Sequence, residues 1–261
     1  MKEMFKELIY YRHLLFALAK RDIKIKYKQS VMGFLWAIFM PMMIVLSGIL
    51  VKKAFSFISG KPLNLNDIAS VSVKALPWSF FVTSLQFATN SLVTNMNLIT
   101  KIYFPREVFP LSAVLSNFLD FVIASLTLTV VLVFLGVEGN INLLWLPLLI
   151  IFLVLLTSGF AFLFSCANLF FRDVKYIVQT VLTFGIFFTP VFYEAKMFKK
   201  WSWVILINPV GSLLEAINDV TILQKSPDQF WIGYVALFSI ILFFGSWAIF
   251  HRLEFKFAEN I

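Results

Sequence analysis

The sequence predicts an all-α integral membrane protein with six transmembrane helices, an N-terminal amphipathic interface helix and short re-entrant helices before the last span. Three observations carry this. Charge-free stretches recur along the chain, the first being the twenty-three residues between Lys28 and Lys52. The composition is 60% hydrophobic and 14% charged, against about 25% charged in an average soluble domain. The dense basic run Lys20-Arg-Asp-Ile-Lys-Ile-Lys-Tyr-Lys28 lies directly before the first apolar stretch, as a cytoplasmic flank does at a membrane span.

The elements follow in order. Residues 1–30 alternate apolar groups (Leu8, Ile9, Leu15, Phe16, Ala19) with basic residues at helical spacing. This predicts an amphipathic helix in the cytoplasmic headgroup layer; the plainer alternative is a topogenic basic flank. Residues 31–261 form one six-span domain. As a helix the first span, 31–51, reaches roughly 31 Å, which matches the hydrocarbon core of a bilayer. Its eleven Leu, Ile, Val and Phe residues favour insertion by on the order of 3 to 7 kcal/mol. Eight Lys or Arg precede it, which is not the pattern of a cleaved signal peptide. Further spans are predicted at 76–99, 111–136, 143–169, 176–193 and 230–250. Within 194–229 the uncharged piece 201–214 contains Pro209 and is too short for a seventh crossing. It suits re-entrant pieces at an outer gate, with an ordinary outer loop as the alternative.

Even parity puts both termini on one side. With the termini inside, segments 1–30, 100–107, 172–175 and 251–261 hold fourteen of the 22 Lys and Arg residues, so both termini are expected in the cytoplasm. The net charge of +8 is dispersed among loops, which argues against a nucleic-acid partner. A single cysteine, Cys166, excludes an internal disulfide. His13 and His251 stand on opposite terminal segments and suggest neither a ligand set nor a catalytic dyad, so no metal site and no catalytic residue are expected. The only Gly-Lys pair, Gly60-Lys61, precedes Pro62 and lacks the upstream glycine of a phosphate loop. Nucleotide-driven work would need a second polypeptide.

Several constellations remain. Asp120 is an acid inside a predicted span, without an evident intramembrane partner; structural hydrogen bonding or a headgroup-level position competes with proton coupling. The loop 100–107, with Tyr103, Phe104, Pro105, Arg106 and Glu107, suits docking into a partner groove, or is an ordinary interfacial turn. Aromatic clusters (Phe34, Trp36, Phe39; Phe184, Phe187, Phe188, Phe192, Tyr193) suit a conduit for sugars, or pack against lipid and neighbouring helices.

Arg21-Asp22-Ile-Lys-Ile-Lys26-Tyr27-Lys-Gln-Ser30-Val-Met-Gly33-Phe-Leu-Trp36 with Pro41, then Tyr103-Phe-Pro-Arg-Glu107, Phe171-Arg-Asp173, Thr189-Pro190-Val-Phe-Tyr193 and Asn208-Pro209, resemble the permease subunits of ABC exporters for cell-surface polysaccharides. That family serves O antigen, capsule and teichoic acid carriers. The resemblance implies a homodimer in the bacterial inner membrane joined to two cytoplasmic ATP-binding subunits, which hold the ATP and Mg; no cofactor is expected on this chain. It implies ATPase coupling through Arg21, Asp22 and Tyr27 and through Ile102 to Glu107, and an outer gate near Phe198 to Asp219, with Trp201, Trp203, Asn208 and Pro209. A lipid-linked glycan would enter with its pyrophosphate near Arg21, Lys24 or Lys26, although these basic side chains also suit anionic lipid headgroups. Its sugars would pass the aromatic set. An exporter of drugs or small lipids, an ion-coupled secondary transporter and a polyprenyl-lipid enzyme are the rival readings.

Overall fold

The computed structural model describes residues 2–28, 35–59, 64–99, 101 and 104–257. Among them the regular structure is helical, with no strand. The N-terminal arm is two helices, α1 (Lys2–Tyr10) and α2 (Arg12–Lys28), broken at Tyr11, where one continuous helix was expected. Next come α3 (Trp36–Ser59), α4 (Leu65–Thr94), the single turn α5 (Met96–Ile99) and α6 (Val108–Phe134). A 3-10 turn at Ile141–Trp145 leads into α7 (Leu146–Phe170), followed by α8 (Val174–Phe188). Another 3-10 stretch (Ala195–Trp201) and α9 (Ser202–Leu206) precede α10 (Pro209–Thr221), and α11 (Gln229–Phe257) ends the described chain.

Among the described residues four segments are long and apolar enough to cross a membrane: 65–94, 108–134, 141–170 and 229–254. The expectation of six crossings rests in addition on α3, whose approach through residues 29–34 lies outside the described residues, and on α8. That last helix differs from the predicted span 176–193. It stops at Phe188 after 15 residues, about 22 Å of rise, because Thr189 is extended (φ −113, ψ 137) ahead of Pro190. The second predicted span, 76–99, also moves. Its helix begins eleven residues earlier, at Leu65, and ends at Thr94, since the charge of Lys74 that marked a boundary in the sequence is buried within the helix.

Helix α4 is the centre of the molecule. It packs against α3, α6, α7, α8 and α10, and every residue from Ala69 to Phe81 is buried. Small polar residues make this close packing feasible: Ser70, Ser72, Ser79, Ser84 and Ser91 all lie buried along it. Around it the largest apolar cluster joins α4, α6, α7 and α10 through Leu85, Phe121, Leu153 and Leu214. A second cluster, toward the opposite end, gathers Leu92, Phe104, Phe109, Phe162 and Phe250. Outside this body α2 lies along α6.

Helices α7 and α11 touch at Gly159, where an added Cβ would sit 2.9 Å from Leu242 Cγ and 3.1 Å from the Phe243 backbone nitrogen. Backbone cannot yield as a flexible side chain would. Gly159→Val is therefore expected to separate the two helices and destabilise the protein by about 1–3 kcal/mol, read as a lowered thermal midpoint in detergent; Gly233→Val on the open face of α11, where nothing lies within 4 Å, is expected to leave the midpoint in place.

Candidate functional site

The basic arm is tied to the membrane body by charge. Lys26 Nζ forms a close ion pair with Asp120 Oδ2 and donates to Asn117 Oδ1 at 3.1 Å. Tyr27 donates its hydroxyl to Asp120 Oδ1 at 2.7 Å. One turn earlier, Ser112 Oγ donates to Asp22 Oδ2 at 3.3 Å, and Asp22 also holds Arg21 at 2.8 Å. Residues 22 and 26 lie four apart on one face of α2, and 117 and 120 lie three apart on the face of α6 that it meets, with 112 two turns before 120. Burial first, and then the hydrogen bond and charge of Asp120, push the Tyr27 phenol up, so it stays a proton donor. Asp120 thus has two partners that the sequence did not reveal; both stand on α2, outside the predicted spans, and of the roles weighed for this acid they favour structural hydrogen bonding. Of the three basic residues assigned to pyrophosphate entry, Arg21 and Lys26 are neutralised within the chain; Lys24 is exposed.

The loop before α6 is turned inward. Phe104 and Pro105 are buried, and Glu107 is 3% exposed. Trp247 Nε1 approaches Glu107 Oε1 at 3.4 Å, and His251 Nδ1 lies 3.1 Å from the same oxygen. The Arg106 amide donates to Glu254 Oε1 at 3.1 Å, and its guanidinium donates to the Glu254 carbonyl. Lys101 remains exposed, while Ile102 and Tyr103 lie outside the described residues. His251 therefore does belong to a cluster, contrary to expectation: it, Glu107 and Glu254 bring one donor atom each within 4.8 Å of one another. Arg106, 3.9 Å from Glu254, supplies opposite charge, so the cluster acts as an ion-pair clasp between this loop and α11.

The aromatic set divides. Phe184 and Phe188 line an apolar cavity of about 740 Å³ together with Trp78, Phe81, Asn208 and Pro209. Phe187 is exposed on the same helix. Trp36 and Phe39 pair edge to face at 5.4 Å, and Trp36 borders a different cavity, beside Lys26 and Tyr27. Phe34 is outside the described residues. Phe192 packs inside the chain against Gly48 of α3. Tyr193 donates to the Phe187 carbonyl at 3.1 Å and meets Phe198 edge to face at 5.4 Å.

At the other end of α4, Lys74 is 1% exposed. Its ammonium donates to the Tyr193 carbonyl at 2.6 Å and to Glu215 Oε1 at 3.3 Å, and Glu215 also accepts from the Ala195 amide at 3.3 Å. Asn208 caps α10 by accepting from the Val210 amide at 3.1 Å, and donates to Thr189 Oγ1 at 2.9 Å. The motifs Thr189-Pro190 and Asn208-Pro209 thus form one unit bolted to α4, while Trp201 and Trp203 stand exposed. Sequence reasoning missed Lys74 and Glu215. Their signal was available: each ends an apolar run, and they carry opposite charge.

A family model described as ABC-2 type transporter matches residues 13–222. Two proteins named O-antigen export system permease protein RfbA, from Klebsiella pneumoniae, are 30% and 31% identical over 251 residues, with 94% of each chain covered. A protein of the same name from Myxococcus xanthus is 28% identical over 264 aligned positions, covering both chains in full.

Two outcomes follow from the charge pairs. Lys74→Met alone is expected to cost about 3–5 kcal/mol by stranding Glu215, whereas Lys74→Met with Glu215→Met recovers most of it, as measured by thermal unfolding in detergent. Asp120→Ala is expected to release α2, so that trypsin cuts after Lys20 to Lys28 several-fold faster in membranes while cleavage elsewhere is unchanged.

Proposed function

This chain belongs to the ABC-2 type transporter family, and from that premise we propose that it is the permease subunit of an ATP-driven exporter. The cargo in this reading is a lipid-linked cell-surface polysaccharide, O antigen or a related glycan, moved across the bacterial inner membrane. The observation that carries it is end-to-end similarity to proteins named as O-antigen export permeases, in a chain built of long apolar helices and without a phosphate loop.

In the proposed assembly two copies enclose a channel, α3 and α8 complete six crossings, and both termini are cytoplasmic. Two ATP-binding subunits with ATP and Mg seat against α2, around Arg21, Asp22 and Tyr27, and against residues 100–107. Force on α2 passes to α6 through Lys26 and Asp120. Force on the loop passes to α11 through the clasp of Glu107, His251 and Glu254. The exposed rings of Phe184, Phe187 and Phe188 on α8 offer flat apolar faces toward the channel, on which sugar CH faces pack. The gate at the outer mouth is the exposed Trp201 and Trp203 segment, which moves over a fixed α10. Lys24 is the basic side chain best placed to meet the carrier's pyrophosphate.

The test is co-expression with the ATPase encoded beside this chain. A stable complex with ATPase activity is expected, and deletion of the permease is expected to abolish surface polysaccharide while lipid-linked glycan accumulates inside the cell. Normal surface polysaccharide in the deletion strain, or a chain that purifies without any ATPase, overturns the reading.

A further inference from the structure

Two helices of membrane-spanning length carry polar stripes on facing sides. On α4, Thr83, Gln86, Asn90 and Thr94 recur every three or four residues; on α6, Ser112, Ser116 and Asp120 recur every four, with Asn117 alongside. Helical spacing puts each set on one face. Helix α2 lies across them, and the three helices enclose a cavity of about 660 Å³. Lys26 and Asn117 line this cavity and also the smaller one that reaches Ser79 and Phe80.

The electrostatics of this groove are specific. Its cations, Arg21 and Lys26, are paired with Asp22 and Asp120, so no unpaired charge is left among its lining residues to attract an anion. What it offers is neutral amide. The Gln86 side chain makes no hydrogen bond among the described residues. Asn90 donates only to its own helix, at 3.2 Å to the Gln86 carbonyl, and Asn95 likewise to the Ser91 carbonyl at 2.7 Å; in both the side-chain oxygen is left over. Beside them the half-exposed Phe87 ring lies under Lys26 Nζ, 5.2 Å from its centroid. Amides left open in a groove take water or a polar ligand as their partner. Donor and acceptor amides next to a flat ring, without net charge, match a polyol: hydroxyls on the amides and a CH face on the ring.

We infer that the groove between α2, α4 and α6 is a binding site for neutral sugar residues, with Gln86, Asn90 and Asn95 as hydrogen-bonding groups and Phe87 as the platform. This rests on the reading that the chain exports a polysaccharide, and it names the part of the cargo the groove holds: the sugar hydroxyls rather than the pyrophosphate.

The test uses the full complex with its ATPase in membrane vesicles. Cys166 is replaced by Ser, and Asn90→Cys is probed with a charged methanethiosulfonate, which reacts with the thiolate form in water. Asn90→Cys is expected to be labelled, and added surface polysaccharide from the same strain, freed from its carrier by mild acid, is expected to slow labelling several-fold. Val130→Cys, exposed at the other end of α6, is the control for a lipid-facing position. An unlabelled Asn90→Cys means a dry groove, and labelling indifferent to the glycan means a wet groove that holds no sugar; either overturns the inference. If Asn90→Cys does not assemble, Gln86→Cys serves with the same outcomes. Loss of one hydrogen bond in Asn90→Leu is expected to weaken glycan binding about fivefold, with Asn90→Gln keeping most of it; equal loss in both variants marks a packing role and overturns the assignment. The export reading is judged separately. Unmodified complex that fails to restore surface polysaccharide to a deletion strain defeats that reading, whereas restored export with an unprotected Asn90→Cys defeats the groove alone.

Discussion

The arrangement of helices depends on a lysine ammonium enclosed among apolar side chains. Removing a charge from water costs several kcal/mol even after relaxation, and only close partners offset it. For Lys74 those partners are the Tyr193 carbonyl and the Glu215 carboxylate, which come from different parts of the chain. The turn after α8 and helix α10 must therefore close over α4. Once they do, Asn208 can cap α10 while holding Thr189, and Pro190 packs against Gly211, where a Cβ would meet it at 2.9 Å. The proposed outer gate is consequently built on a fixed base.

The opposite end of the molecule uses charge for attachment instead of enclosure. Lys26 and Asp120 are only partly buried, at 27% and 13% side-chain exposure, so their pair is cheaper to form and to break than that of Lys74. The clasp of Glu107 with His251 and Glu254 joins the segment before α6 to the end of α11. Two peripheral segments are thus each fastened by ionic contacts to a different long helix. In the transport cycle proposed for this chain, these fastenings turn a push at the inner face into movement of α6 and α11, and a polar seam between α4 and α6 lies beside one of them.

Much of this was legible in the residues. Long charge-free runs gave helices near 111–136, 143–169 and 230–250, which appear as 108–134, 146–170 and 229–257, because apolar composition and length follow from the bilayer whatever the neighbours are. Boundaries failed where a charge was taken as an end. The second span was expected to begin at 76, past Lys74, which lies buried inside a helix that begins at Leu65, and Asp120 was read without its partner because Lys26 lies 94 positions away. The aromatic cluster failed differently. Composition put Phe192 with Phe184 and Phe188, yet Phe192 fills a gap against Gly48, and ring count carries no information about which side of a helix meets another helix.

The sequence by itself determined that this chain is made of apolar helices flanked by basic segments, and its motifs pointed to the family, since local composition and residue spacing need no partner to be read. Only the tertiary structure decided which charges are paired, that Thr189 and Asn208 belong to one unit, and that the polar faces of α4 and α6 meet. Those are contacts between residues distant in the chain, and their energy exists only when packing brings both partners out of water together.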